Sequence, residues 1–215
     1  MIPLLVDGDG GSLGTIALAH GAGAPMDSPF MNAMAHGLAI RGARVVRFEF
    51  PYMRARREQN KRGAPNRQPE LLACYREVIA QLGDPTTLTL GGKSMGARMA
   101  SLIADELGVR SVVCLGYPFH PAGKPQRLRV AHLHQLTTPT LIVQGTRDAL
   151  GSRAEVEGYA LPERIRFEWL EDGDHSFEPR KKSGRTTEQA MTEAIDHVAG
   201  FISRLQSGRG RVSLT

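Results

Sequence analysis

Apolar positions along the chain fall into short continuous runs that alternate with longer stretches of helical spacing. Thr15 to Ala19 (TIALA), Ala43 to Phe50 (ARVVRFEF), Thr86 to Leu90 (TTLTL), Ser111 to Leu115 (SVVCL), Thr140 to Gln144 (TLIVQ) and Ile165 to Leu170 (IRFEWL) read as strands. Between them, Pro29 to Ile40 carries Phe30, Met31, Met34 and Leu38 on one face and meets Gly42 just past its end. Glu70 to Leu82, Ala97 to Leu107 and Thr187 to Leu205 show the same period. Strands that alternate with helices of ten or more residues predict βαβ units and a mostly parallel sheet covered on both faces. Ile2 to Val6 would add an antiparallel edge strand, and the Arg-rich segment from Pro51 to Pro69 reads as a solvated loop. Residues 1–206 are expected to form a single domain, and 207–215 a frayed tail.

The most informative segment is Gly91-Gly92-Lys93-Ser94-Met95-Gly96-Ala97-Arg98. A serine between two glycines, after a strand and before a helix, is the context in which G-x-S-x-G acts as a nucleophile elbow. The chain has 24 glycines, so the pattern alone is weak. A phosphate-binding loop is a poor alternative. It would need a glycine five positions before Gly92, and that position is Thr87.

A serine nucleophile needs a base, and the base needs an orienting acid. Open parallel sheets place reactive groups beyond the carboxyl ends of strands. Asp148 follows the strand 140–144, and its alternative role is to cap a helix starting near Ser152. His175 follows the last strand in the polar, glycine-containing loop EDGDHSF, which would leave it free to swing over the sheet. Of the other histidines His120, which closely follows a strand, is the only serious rival for the base, and it reads as a shaper of the pocket. The order Ser94, Asp148, His175 is that of α/β-hydrolases. Backbone amides of Met95 and of the loop His20-Gly21-Ala22-Gly23, Ala22 in particular, would form an oxyanion hole. Gly21, Gly23, Tyr52, Tyr117, Phe119 and His120 are candidate pocket residues, and Phe30 is a further wall or core residue.

Composition narrows the picture. The chain has 215 residues, 41% of them hydrophobic and 23% charged, which suits a globular domain. No apolar run approaches the ~18 residues of a membrane span, and the opening residues turn acidic early, unlike a signal peptide. Cys74 and Cys114 sit in apolar surroundings, which suits small buried hydrophobes in a reducing, cytoplasmic compartment. The net charge of +5 is concentrated in Arg54 to Arg62, with Arg67 beyond. That run lacks interleaved aromatics, so no nucleic-acid partner is expected; a second reading has these arginines line a mouth for acidic substrates. No metal is expected, because the histidines are scattered and no H-E-x-x-H occurs. No cofactor is expected either, in the absence of a G-x-G-x-x-G opening a βαβ unit. A homodimer through an exposed sheet edge is expected, with no segment that locates it.

The sequence also resembles the small, capless α/β-hydrolase-like family that includes the mammalian testis-expressed protein Tex30 and the corresponding domain of the KAT8 regulatory complex subunit 3. More distantly it resembles dienelactone-hydrolase-like proteins. The matching pieces are LAHGAGAPMDSPFM at 18–31, VRFEFPYM at 46–53, GGKSMGAR at 91–98, GYPFHPAGKP at 116–125, VQGTRD at 143–148 and DGDHSF at 172–177. The resemblance implies an α/β-hydrolase fold without a large cap domain, with nucleophile, acid and base on Ser94, Asp148 and His175. It also implies a branch that serves as a scaffold in a chromatin complex. The function expected is hydrolysis of a small ester, thioester or related acyl substrate through an acyl-enzyme. The alternatives are a non-catalytic interaction module and a serine peptidase of the same fold.

Overall fold

The structure of the protein is a computed structural model and describes residues 1–60 and 63–209. Its centre is a seven-stranded sheet made of β1 (Leu4–Asp7), β2 (Gly14–Ala19), β3 (Ala43–Phe48), β4 (Leu88–Lys93), β5 (Ser111–Leu115), β6 (Thr140–Gly145) and β7 (Ile165–Leu170). The strands lie in the order β1-β3-β2-β4-β5-β6-β7. Only β1 runs antiparallel, pairing Leu4 with Phe48 on β3. This is the α/β-hydrolase architecture.

Strand side chains alternate between the two faces. Ala17 and Ala19 on β2, Val112 and Cys114 on β5 and Ile142 on β6 join one core cluster. Ile16 and Leu18, Val113 and Leu115, and Leu141 and Val143 join the other. Because both faces are covered, these strands are apolar at nearly every position. Helices α3 (Gln68–Leu82) and α4 (Met95–Leu107) cover the first face through residues such as Tyr75, Val78, Met99 and Ile103. Helices α1 (Pro29–Ile40) and α6 (Thr187–Arg209) cover the second through Met34, Leu38, Val198 and Ile202. The connection 116–139 between β5 and β6 contains no helix or strand, so no cap is built there.

Two expectations are corrected. Pro51 does not open a loop: it is the first residue of a further helix, α2 (Pro51–Gln59). Proline suits that position, where its missing N–H is not needed and its fixed φ is already helical. The last helix continues to Arg209, past the expected start of the tail at Ser207, and 210–215 lie outside the described residues. Cys74 and Cys114 are both buried and unpaired. Among the described residues, no helix is long and apolar enough to cross a membrane.

The topology fixes where a site can form. The chain runs from β2 outward to β3 and then returns to place β4 on the other side of β2. The loops leaving β2 and β4 therefore diverge at their carboxyl ends, which opens the crevice expected of a switch point.

Candidate active site

Ser94 occupies that crevice, between β4 and α4, with φ 52° and ψ −111°. A non-glycine residue rarely adopts such a conformation, and its cost must be carried by the surrounding packing. Here the packing depends on two glycines. A Cβ on Gly92 would stand 2.3 Å from the carbonyl carbon of Gly96. A Cβ on Gly96 would stand 2.6 Å from the Ala19 carbonyl oxygen and 2.7 Å from that of His20. These are backbone atoms of β2 and its loop, which cannot swing aside. Gly96→Ala is expected to cost about 3 kcal/mol and to lower the melting temperature by roughly 6–12 °C. Gly158→Ala, where a Cβ meets nothing within 4 Å, should leave it nearly unchanged in the same thermal scan.

Asp148 follows β6 and is fully buried. Its Oδ2 accepts from His175 Nδ1 at 2.7 Å and from Gln144 Nε2 at 2.9 Å, and its Oδ1 accepts from the Leu150 N–H at 2.8 Å. The helix-cap alternative is not what it does. Helix α5 (Arg153–Val156) is capped through Glu155, whose carboxylate accepts from the Ser152 N–H and hydroxyl. Because a carboxylate only accepts, His175 carries its proton on Nδ1, which leaves Nε2 an acceptor. Nε2 lies 2.9 Å from Ser94 Oγ. Serine, imidazole and carboxylate thus lie in one hydrogen-bonded line.

The loop holding His175 is pinned rather than free. Asp172, at φ 58°, accepts from the Arg180 N–H and guanidinium and lies 3.1 Å from Arg147 Nε. The Arg180 guanidinium holds the Asp172 carboxyl down to about 2. Asp174 Oδ1 accepts from the N–H groups of Ser176 and Glu178.

The loop after β2 is also held from behind. His20 is buried, and its Nε2 accepts from the Phe50 N–H at 3.1 Å. Its proton therefore lies on Nδ1, which donates to the Gly21 carbonyl at 2.6 Å. Burial pushes the imidazole below its ordinary pKa and keeps it neutral. The Tyr52 hydroxyl donates to the Ala22 carbonyl at 2.9 Å. With both carbonyls turned back, the loop presents its other side to the crevice. Met95 opens α4, so its N–H has no partner within the helix.

Two cavities border Ser94. One, of about 280 Å³, is lined by Gly21, Ala22, Gly23, Phe30, Lys93 and His175. The other, of about 440 Å³, lies toward α4 and is lined by Ala22, Met95, Arg98, Pro118, Arg129 and Leu150. A larger cavity of about 750 Å³ between α1 and α6 shares Phe30 and Ser176 with the first but reaches neither Ser94 nor His175.

The residues matched to the family described as Alpha/beta hydrolase domain are 13–203, nearly the whole chain. The chain belongs to this alpha/beta hydrolase family. Solved structures share its fold at low identity. A serine hydrolase without a lid from Xanthomonas campestris is 20% identical, with 99% of this chain and 90% of that one covered and a TM-score of 0.65. The esterase domain of a Rhodothermus marinus protein is 16% identical over 94% of this chain and 91% of that one, with a TM-score of 0.67. A thioesterase domain from the curacin biosynthetic pathway is 17% identical over 93% of each chain, with a TM-score of 0.61.

Other expected pocket residues of this alpha/beta hydrolase lie elsewhere. Tyr117 and Phe119 are fully buried in the core and line neither cavity beside Ser94. The Tyr117 hydroxyl is spent on the Arg129 carbonyl at 2.9 Å. His120 is buried with Nδ1 3.0 Å from the Pro121 carbonyl and Nε2 3.4 Å from Glu155, away from the serine. Tyr52 acts through the loop it holds. The described arginines of the basic segment do not line these cavities either. Arg57 binds the buried Glu49 and also Asp27, each at 2.7 Å. Lys61 and Arg62 lie outside the described residues. Among the described residues no group of three or more His, Cys, Asp or Glu side chains gathers as a metal would need.

Lys93, inside the elbow motif, was not singled out by the pattern. It is 8% exposed, and its Nζ donates to the His175 carbonyl at 2.5 Å. The amine also stands 5.3 Å from the ring centre of Phe30 and 5.8 Å from that of Phe177. Burial pulls its pKa down to about 8, against the pull of Asp148 and Asp174 in the other direction. The folded chain therefore holds this proton less tightly than the unfolded chain, and stability rises with pH from about 8 to 10.5. Urea unfolding at pH 7 and pH 10 should show wild type gaining roughly 2 kcal/mol relative to Lys93→Met. An unchanged difference would contradict this.

Proposed function

We propose that the protein is a serine hydrolase of a small ester, thioester or related acyl substrate and that it works through an acyl-enzyme. The observation that carries this reading is the position of His175, 2.9 Å from Ser94 on one side and 2.7 Å from Asp148 on the other. In this mechanism Ser94 Oγ attacks the carbonyl carbon while its proton passes to His175 Nε2. Asp148 fixes the imidazole tautomer and stabilises the imidazolium. The Met95 and Ala22 amides hold the negative oxygen of the tetrahedral intermediate, and the start of α4 adds the positive end of its dipole. His175 returns the proton to the leaving oxygen or sulfur. Water, activated by the same imidazole, then attacks the acyl-serine and releases the acid. These steps use only protein groups and water.

The lack of a cap and the modest cavities favour short acyl groups over long lipids. The motifs at 91–98, 143–148 and 172–177 support the narrower kinship with the Tex30 and KAT8 regulatory complex subunit 3 group. A series of p-nitrophenyl esters of rising chain length tests the proposal. Turnover should peak at short chains and be absent from Ser94→Ala. Equal turnover by wild type and variant on every ester would reject it.

A further inference from the structure

Several arginines of this chain meet a carboxylate. Arg47 binds Asp7, Arg57 binds Glu49, Arg76 binds Glu106 and Arg180 binds Asp172. Arg98 and Arg129 do not, and their place in the fold sets them apart from the other unpaired arginines. Both line the cavity of about 440 Å³ that borders Ser94 and Met95. Among the described residues neither guanidinium pairs with an acidic group. Arg98 Nη2 donates to the neutral Gln68 Oε1 at 2.9 Å, and its buried Nε has no partner.

The two arginines reach this cavity from separate elements. Arg98 lies on α4, and its N–H donates to the Ser94 carbonyl at 3.1 Å, so it stands one turn beyond the serine. Arg129 belongs to the connection between β5 and β6. Its N–H donates to the Phe119 carbonyl at 2.7 Å, and its carbonyl accepts from the Tyr117 hydroxyl at 2.9 Å. Burial first, and then the neighbouring Arg98 charge, push the Arg129 pKa down. The nearby imidazole of His132 does not relieve it. Burial and the Arg98 charge lower its pKa to about 4, so it stays neutral 2.9 Å from Ser101 Oγ. Two like charges that converge on one cavity are unfavourable until an anion enters between them, and guanidinium forks match carboxylate and phosphate oxygens.

We propose that Arg98 and Arg129 form an anion subsite beside the nucleophile, so that the substrate carries a carboxylate or phosphate a few bonds from the carbonyl that Ser94 attacks. The inference rests on the hydrolase reading above and narrows its substrate class to anionic acyl compounds. The charge can lie on the acyl half or on the leaving half.

Two matched pairs of substrates separate these cases. Mono-(p-nitrophenyl) adipate against p-nitrophenyl hexanoate places the charge on the acyl half. Butyryl glycerol phosphate against glycerol monobutyrate places it on the leaving half. Wild type should prefer the charged member of one pair by about 10–100-fold in kcat/KM, the worth of one or two charge-assisted hydrogen bonds. The preference should collapse toward one in the Arg98→Gln/Arg129→Gln variant and survive in part in Arg98→Lys/Arg129→Lys. Equal turnover of charged and neutral members by wild type would overturn the inference, as would a preference that persists in the glutamine variant. If wild type cleaves none of the four, the hydrolase reading fails on its own. Calorimetric titration of adipate and glycerol phosphate into Ser94→Ala then decides the subsite. Binding lost on adding both glutamine substitutions supports it, and no binding of either compound overturns it.

Discussion

Replacing Ser94 with alanine is expected to lower kcat on any ester the protein cleaves by about 10⁴-fold or more. Among the described residues the hydroxyl is the hydrogen-bond partner of His175 Nε2, so without it the imidazole has no serine proton to accept and no bond can form to the acyl carbon. The remaining amides and the cavity can still bind the carbonyl, which sets the residual rate. Stability should hardly move. Alanine takes the same φ of 52° as serine with no added bulk. The His175 loop keeps its anchors at Asp172 and Asp174. A thermal scan of the variant should therefore overlay wild type within a few degrees while its turnover disappears. Loss of both together would mean that the serine matters to folding, and the kinetic result would then carry no mechanism.

Asp148→Asn should cost about 10⁴-fold in kcat while leaving the side-chain volume intact. All three groups that touch this carboxylate are donors: His175 Nδ1, Gln144 Nε2 and the Leu150 N–H. An asparagine has one acceptor oxygen and one donor amide to offer them. If the amide faces His175, the imidazole must accept at Nδ1 and carry its proton on Nε2, which is the wrong tautomer to take a proton from Ser94. If the amide faces Leu150, two N–H groups confront each other in a buried site at a cost of about 1–3 kcal/mol. Gln144 holds the carboxylate from β6, with its own Oε1 accepting from the Tyr117 N–H at 2.7 Å. Stopped-flow or burst kinetics on an activated ester measures the loss directly. An Asn variant within tenfold of wild type would remove Asp148 from the proposed mechanism.

Much of this arrangement is legible in the sequence because strand ends are. The run Thr140–Gln144 and the run Ile165–Leu170 place Asp148 and His175 beyond carboxyl ends of parallel strands, where the sheet topology gathers side chains. Residues that act from behind are less visible. His20 matters because the Phe50 N–H, just past the carboxyl end of β3, reaches its ring, which no local pattern encodes. Gln144 looks like one polar residue in an apolar strand. Lys93 fills the free position of G-x-S-x-G, where any residue satisfies the motif.

The misplaced residues have equally physical reasons. Tyr117 and Phe119 stand just past β5 and so look like pocket walls, but the chain turns them into the core, where they pack 4.8 Å apart. The basic segment looked like a loop because arginines dominate Pro51 to Gln59, yet Tyr52 and Met53 are buried and Arg57 finds Glu49 and Asp27. The arginines that do face the cavity, Arg98 and Arg129, are far apart in sequence and meet only through the fold.

The central claim is that Ser94 is an activated nucleophile. Labelling of the folded protein with a fluorophosphonate, followed by peptide mass mapping, tests it most directly. Rapid modification of Ser94 alone is expected, abolished by heat unfolding and by Ser94→Ala and strongly slowed by Asp148→Asn. No adduct on the folded protein, or equal labelling of the Ser94→Ala variant, would contradict it and favour an interaction module that keeps the fold without the chemistry.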